Sequence, residues 1–210
     1  MRYFSYISDA KVDMLLPQIP KGRRETIAAE LGFNVALLSG RIRAEASILD
    51  TRVARLLAVE RYIRDNEKLG TSGGTPWFER FGARSFSILL EGGALLWASQ
   101  GGDWLLAGSA AHLAATSPIT GGSPFSELAG IIALVSRVAP DVFPYFDGSD
   151  AWPKAEGMRE DFVWLRNLIT YVRQTCDRRG QPPQEITFLA RRLVSSESLV
   201  LASPLYVEYR

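Results

Sequence analysis

Two glycine pairs, Gly92-Gly93 and Gly101-Gly102, constrain the fold more than any other feature of this sequence. They separate three short apolar segments that are rich in β-favouring side chains, at 81–90, 94–99 and 104–107. Glycine accepts the positive φ angles that tight hairpin turns require. The middle of the chain is therefore predicted to form consecutive antiparallel strands.

The flanking sequence adds strands and amphipathic helices. Alternation predicts strands at 2–8, 33–38, 186–193 and 199–209. Helical spacing predicts helices at 23–31 before Gly32, from Asp50 with Asp50 or Thr51 as cap, after Ser123, and at 158–176. Residues 12–19 fit one helical turn or an apolar loop. Because strands come in runs, we predict a single α+β domain over 1–210, with a mixed, mainly antiparallel sheet and a mostly helical segment at 124–180.

Charge and composition narrow the class of partner. The 210 residues are 47% hydrophobic, which is ample for a core without disulfides. Lys and Arg total 24 against 23 Asp and Glu, and a net charge of +1 argues against a general nucleic-acid or anionic-membrane surface. The pair Arg191-Arg192 could touch a phosphate backbone, but the edge of a strand explains it more simply.

The residue inventory also limits metals, cofactors and location. A single cysteine, Cys176, excludes disulfides, Cys-rich zinc sites and iron–sulfur clusters, and its helical spacing predicts a buried thiol. Cys and His are nearly absent and the carboxylates form no recognised metal-binding loop, so we expect no metal. Glycine-rich nucleotide motifs are missing, so we expect no cofactor. Charged residues interrupt the N-terminal apolar run, and no apolar stretch approaches the roughly 18–20 residues that span a bilayer. We expect a cytoplasmic protein without a membrane partner.

The segment Tyr6–Pro20 carries the signature Tyr-x-Ser-Asp-x-Lys-Val-Asp-Met-Leu-x-Pro-Gln-Ile-Pro. Weaker blocks follow at 59–63, 108–112, 188–193 and 203–207. Over nearly its full length the chain thereby resembles a bacterial family of uncharacterised proteins, a domain-of-unknown-function group. The resemblance implies kinship and no particular activity. The chain departs from the family pattern at 77–82, where Glu79-Arg80 stands in place of a glycine after the aromatic pair.

Polar residues gather where the first predicted strand ends. Ser8, Asp9 and Lys11 leave this strand, and a carboxylate beside an ammonium group can orient a polar ligand. The alternative is a solvated turn whose side chains satisfy the local backbone. Arg23 and Arg24 follow at the start of a helix, where the dipole disfavours cations, and this favours an anionic partner over simple solvation.

The only histidine, His112, lies three residues after Ser109. Both are predicted at the start of a helix, near free amides suited to an anion or an oxyanion. The alternative is that Ser109 only caps the backbone and the imidazole is only packed. The Gly-x-Ser-x-Gly match at 70–74 falls in a loop after a helix, so we assign it to chance.

Three hypotheses for function follow from these residues. The leading one is a non-enzymatic module for a small anionic ligand or a partner protein, such as a sensor or adaptor in a bacterial regulatory or defence system, with the aromatic segment 143–152 as a cover. Its ligand contacts would be Ser8, Asp9, Lys11, Arg23, Arg24, Ser109 and His112. The rival is a hydrolase or phosphotransfer-type enzyme using His112 as base with Ser109 or Asp9. The third is a scaffold that homodimerises through the apolar helix 125–138.

Overall fold

The computed structural model describes residues 3–32, 48–67, 69–70, 75–113 and 162–209. The strands of its seven-stranded sheet are β1 Phe4–Ile7, β2 Leu69–Gly70, β3 Trp77–Leu89, β4 Ala94–Ser99, β5 Trp104–Ser109, β6 Gln184–Ser195 and β7 Val200–Tyr209. The helices in these ranges are α1 Asp9–Leu15, α2 Lys21–Glu30, α3 Ile48–Asn66 and α4 Val163–Arg178, with 3-10 turns at Leu16–Gln18 and Ala110–His112. The predicted α+β class is confirmed.

Five of the strands close into a ring. β3, β4 and β5 pair in succession and antiparallel, as the glycine pairs predict. β6 returns to lie beside β3, and β7 closes the ring by pairing antiparallel with β6 and parallel with β5. The spatial order β6-β3-β4-β5 is a Greek key, and a five-stranded Greek-key barrel is also the architecture of OB-folds. The sheet is thus mixed and mainly antiparallel, as predicted.

Aromatic side chains fill the inside of this ring. The ring centroid of Phe188 lies 5.4 Å from that of Phe78 and 4.8 Å from that of Trp104. Tyr6 meets Trp97 edge-on, with centroids 5.3 Å apart. All five belong to one buried cluster. The barrel therefore has a packed interior, and functional groups have to lie at its ends or on its outer face.

Helices cover the outer face of the barrel on two sides. α4 packs against β3, β4 and β5 through a buried stripe made by Leu165, Leu168, Ile169, Val172 and Cys176. Helices α1 to α3 pack around β1 and the adjoining parts of the sheet, with Ile27, Leu56 and Val59 in that cluster. Cys176 is 1% exposed, so its predicted burial is confirmed.

Several predicted boundaries are wrong. Residues 12–19 are mostly helical, and α1 begins already at Asp9, which the alternation pattern treats only as the end of the strand. Asp50 and Thr51 do not cap α3, because the helix is already formed at Ile48. The helix predicted after Ser109 is only a 3-10 turn in the described residues, since Leu113 turns to an extended conformation and bridges back to Tyr6.

Some predictions fall outside the described residues. They are the strand at 33–38, the connection at 71–74, the start of the helix at 158–161, the apolar helix 125–138 and the aromatic segment 143–152. Only the last part of the predicted helical segment 124–180 is described, and it is α4. Among the helices that the structure describes, none combines the length and the hydropathy that crossing a bilayer requires.

Candidate functional site

The end of β1 and the turn after β5 lie side by side. The rings of Tyr6 and His112 meet edge-on with centroids 6.0 Å apart. Tyr6 also lies against Gly108, where an added Cβ would come within 2.6 Å of the tyrosine Oη. Oδ2 of Asp9 is 3.7 Å from Nδ1 of His112. The two polar segments therefore form one buried group, the β1-exit cluster, made by Ser8, Asp9, Lys11, Arg52, Ser109 and His112.

Arg52 on α3 holds the Asp9 carboxylate. It donates from Nε to Oδ1 at 3.0 Å and from Nη2 to Oδ2 at 2.9 Å. Nη2 also donates to the carbonyl oxygen of Ile7 at 3.2 Å, which ties α3 to the end of β1. Both side chains are buried, and a buried carboxylate is stable only with such a partner. Asp9 thus has its negative charge balanced inside the protein.

The His112 side chain is buried in the cluster, and its Nδ1 atom has no hydrogen-bond partner among the described residues. His112 is 2% exposed. The 3.7 Å separation from Asp9 is too long for a hydrogen bond. Ser109 Oγ accepts instead from the backbone amide of Ala111 at 3.3 Å, so this hydroxyl caps the turn. Burial raises the pKa of the neighbouring Tyr6 hydroxyl, which favours its neutral form.

Lys11 is a buried cation with only neutral hydrogen-bond partners. Its Nζ donates to Ser203 Oγ at 2.7 Å, to the carbonyl oxygen of Pro204 at 3.1 Å and to Ser8 Oγ at 3.4 Å. The side chain is 7% exposed, and no described carboxylate pairs with it. Burial, reinforced by the positive charge of Arg191, lowers the pKa of Lys11 to about 7. The ammonium group is therefore close to losing its proton at neutral pH.

Of two adjacent arginines on β6, Arg191 adds uncompensated positive charge beside Lys11, whereas Arg192 follows it along the strand and projects to the opposite face of the sheet. Arg191 is in register with Ser203, and Arg192 is in register with Ala202. Arg191 is exposed, whereas Nε and both Nη atoms of Arg192 are buried and have no hydrogen-bond partner among the described residues. Burial lowers the pKa of Arg192. β6 pairs with both β3 and β7 here, so the explanation of this arginine pair as a strand edge is wrong.

The remaining predicted contacts, Arg23 and Arg24, lie on α2. Arg23 forms an ion pair with Asp65 of α3 on the protein surface. Nε of Arg24 is buried without a partner in the described ranges. Neither arginine makes a hydrogen bond or ion pair with the β1-exit cluster there. The structure thus brings together Ser8, Asp9, Lys11, Ser109 and His112, and it does not join the α2 arginines to them.

Sequence reasoning missed two residues that define the site: Arg52 and Ser203. For Arg52 a signal existed, because it continues the buried stripe of Leu56, Val59 and Ile63 at helical spacing. A charged residue on an apolar stripe needs a buried partner. Ser203 lies in an apolar strand and carries no such signal. Within the described residues, no group of three or more His, Cys, Asp or Glu side chains could hold a metal ion.

Comparison with known proteins places the chain among relatives without assigning it a role. A family model described as "Family of unknown function (DUF7019)" matches residues 2–210. No curated protein and no solved structure matches the chain. Any functional inference therefore depends on the geometry of the site.

Proposed function

Because the chain belongs to this family of unknown function, we propose its role from the site alone: a non-enzymatic module that binds a small anionic ligand beside Lys11 and Arg191. One observation carries the proposal. Neither of these two neighbouring cations pairs with a carboxylate in the described residues. A cation that is buried without a counter-charge is costly, and a bound anion offsets that cost.

The nearby carboxylates are already committed elsewhere. Asp9 is held by Arg52, and Asp13 on α1 forms an ion pair with Arg55 of α3. An anion approaching the outer face of β6 would first meet the exposed Arg191. The ammonium group of Lys11 lies beneath Arg191. It donates a hydrogen bond to Ser203, which is the residue in register with Arg191 on β7. The site therefore favours negative charge from outside the described chain.

A small anion fits these cations better than the surface of a partner protein. Lys11 is 7% exposed, so a flat protein surface has little access to its ammonium group. A compact anion can approach buried donors more closely. Such binding without chemistry suits the sensor or adaptor part of a regulatory or defence system, and the family resemblance suggests a bacterial setting.

The described residues support binding over the rival catalytic role. A serine nucleophile needs a hydrogen bond to its base, but Ser109 Oγ caps the turn and Nδ1 of His112 has no described partner. The shortest hydrogen bond between an amine and a hydroxyl at this site, among the described residues, is that of Lys11 Nζ to Ser203 Oγ, at 2.7 Å. Ser203 is 0% exposed, so a substrate has no access to its hydroxyl. The pair is better explained as support for a buried ammonium group.

Thermal unfolding in sulfate and in inorganic phosphate tests this proposal. At equal ionic strength in chloride as reference, these anions should raise the melting temperature of the wild type and of Lys21→Met, an exposed control on α2. Lys11→Met and Arg191→Gln should lose most of that increase. An equal increase in all four proteins contradicts the proposal. For the catalytic rival the test is His112→Ala, and unchanged biological activity of that variant eliminates it.

A further inference from the structure

An open groove lies at the opposite end of β5 from the β1-exit cluster. It has a volume of about 490 Å³ and is walled by the middle of β3 and by the β4–β5 turn. The turn is held by the buried Ser99, whose Oγ accepts from the amide of Asp103 at 2.8 Å and from that of Trp104 at 3.2 Å. One wall of the groove is thus fixed before any ligand binds. Its volume is in the range of small-molecule sites.

A β-bulge turns an aromatic ring outward beside this groove. Arg80 pairs with Phe188 and Ala83 with Ile186, so Phe81 and Gly82 together oppose the single residue Thr187. Gly82 has φ of 61°, and its amide donates to Thr187 Oγ1 at 3.2 Å. The Phe81 side chain is left 60% exposed. A bulge that exposes a phenyl ring at a groove commonly marks a place where a side chain is aimed at a ligand.

One face of the exposed ring is already occupied by a cation. Cζ of Arg64 lies 5.8 Å from the centroid of the Phe81 ring. Arg64 is itself fixed by ion pairs with Glu60 at 3.0 Å and Glu79 at 2.8 Å. The ring is therefore held in place from one side while much of its surface faces water. This is the arrangement that a stacking platform for a planar group needs.

Two arginines supply positive charge along the same groove. Arg84 is exposed, and its side chain makes no ion pair or hydrogen bond with the residues that the structure describes. Arg80 forms an ion pair of 3.3 Å with Asp103, and its Cζ lies 5.5 Å from the centroid of the Phe78 ring. Its Nε is buried without a hydrogen-bond partner among the described residues. Planar guanidinium groups bind phosphate with two parallel hydrogen bonds. The groove thus combines donors for an anion with a surface for a ring.

We propose that this groove binds a nucleotide-type ligand, with its phosphate at Arg84 and Arg80 and its base stacked on Phe81. A molecule that carries both a phosphate and a ring would use both kinds of contact, which the groove offers side by side. The net charge of +1 does not oppose a contact of this size, since only a few local charges take part. A free nucleotide and a short single strand share this chemistry.

The proposal is tested with the purified full-length chain by titration calorimetry. The probes are adenosine monophosphate, adenosine and inorganic phosphate, with fluorescence anisotropy of a labelled ten-nucleotide single strand as a fourth arm. The nucleotide should bind more tightly than either of its parts. Phe81→Ala and Arg84→Ala should each weaken it by roughly fivefold or more. Leu89→Ala, at a side chain 56% exposed on the same strand, is the matched control and should have no effect.

The outcomes separate the source of the ligand and separate this site from the anion site. Much tighter binding of the strand, with a steep dependence on salt, identifies a nucleic-acid strand as the ligand. Equal affinity for the strand and the nucleotide identifies a free nucleotide. Lys11→Met should leave either result unchanged, because Lys11 belongs to the other site. The proposal is overturned if the nucleotide binds no better than phosphate, or if Phe81→Ala, shown to be folded by circular dichroism, binds like the wild type.

Discussion

The Asp9 carboxylate at the end of β1 has its Oδ2 atom 3.7 Å from Nδ1 of His112, the only imidazole in the chain. The same carboxylate accepts two hydrogen bonds from Arg52. Its charge is therefore neutralised within the cluster, and it is not available as a counter-ion for Lys11. The protonated Lys11 side chain therefore gives the cluster an excess of positive charge.

Removing Arg52 should destabilise the protein strongly. Arg52→Ala leaves Asp9 buried without its partner, and breaking a buried ion pair in this way costs about 3–5 kcal/mol. Arg23→Ala is the control, because Arg23 is 40% exposed in its pair with Asp65 and such surface pairs contribute about 0–1 kcal/mol. Urea denaturation of both variants measures the difference. Equal free energies of unfolding would show that the Asp9–Arg52 pair does not support the site.

Lys11 should make folding stability depend on pH. Its pKa is about 7 in the folded protein against an ordinary value of 10.5, so between these values the unfolded chain binds more protons. The cost of burying the charged ammonium group is fully present below pH 7, where this group adds no pH dependence. The free energy of unfolding should therefore rise as the pH increases from about 7 towards 10.5, because that cost is lost. Each unit of separation corresponds to about 1.4 kcal/mol.

Denaturation at a series of pH values, for the wild type and for Lys11→Met, measures this contribution. The rise should disappear in Lys11→Met and persist in Lys21→Met, whose side chain lies on the surface of α2. Parallel pH profiles for the wild type and Lys11→Met would mean that the ammonium group is well solvated, contrary to its burial.

Gly108 should not tolerate a side chain. An alanine Cβ there would come within 2.6 Å of Tyr6 Oη and 2.8 Å of Tyr6 Cζ, so Tyr6 would have to move within the packed barrel. We expect Gly108→Ala to cost about 1–3 kcal/mol. Gly22→Ala on α2 is the control, since nothing lies within 4 Å of its added Cβ, and it should gain about 0.4–1 kcal/mol. A neutral Gly108→Ala would show that β1 and β5 are not in close contact.

Cys176 should be unreactive in the folded protein. Cys176 is 1% exposed on the buried face of α4, and burial raises the pKa of its thiol, so little thiolate forms and reagents have no access. Labelling by a disulfide reagent should therefore follow the rate of unfolding, and it should become rapid in denaturant. Rapid labelling of the native protein would contradict the packing of this face of α4 against the sheet. Because Cys176 is the only cysteine, no second thiol complicates the measurement.

Local patterns predicted the elements of this fold better than their arrangement. The glycine pairs predict the hairpins of β3, β4 and β5, because a positive φ is a local requirement, and Gly92, Gly93 and Gly102 adopt it. The closure of the barrel depends on pairing β5 with β7, which are far apart in sequence. No local pattern encodes that contact.

The candidate site shows the same limit. Ser8, Asp9, Lys11 and His112 are recognisable as polar residues at the ends of apolar strands, so their segments could be singled out. That Asp9 meets Arg52, and that Lys11 meets Ser203, depends on helix packing and strand register. The helix-dipole argument for Arg23 did not anticipate its partner Asp65, which lies on another helix. The charge balance of a buried cluster is a property of the tertiary structure.

Proton uptake on binding of sulfate tests the central claim most directly, because sulfate itself does not titrate near neutral pH. Calorimetry at pH 8 in two buffers of different ionisation enthalpy counts the protons taken up. An anion beside Lys11 favours its charged form, so the wild type should take up a proton at pH 8 and almost none at pH 6, and Lys11→Met should take up none at either pH. Sulfate binding without proton uptake at pH 8, or no sulfate binding at all, would contradict an anion site at Lys11.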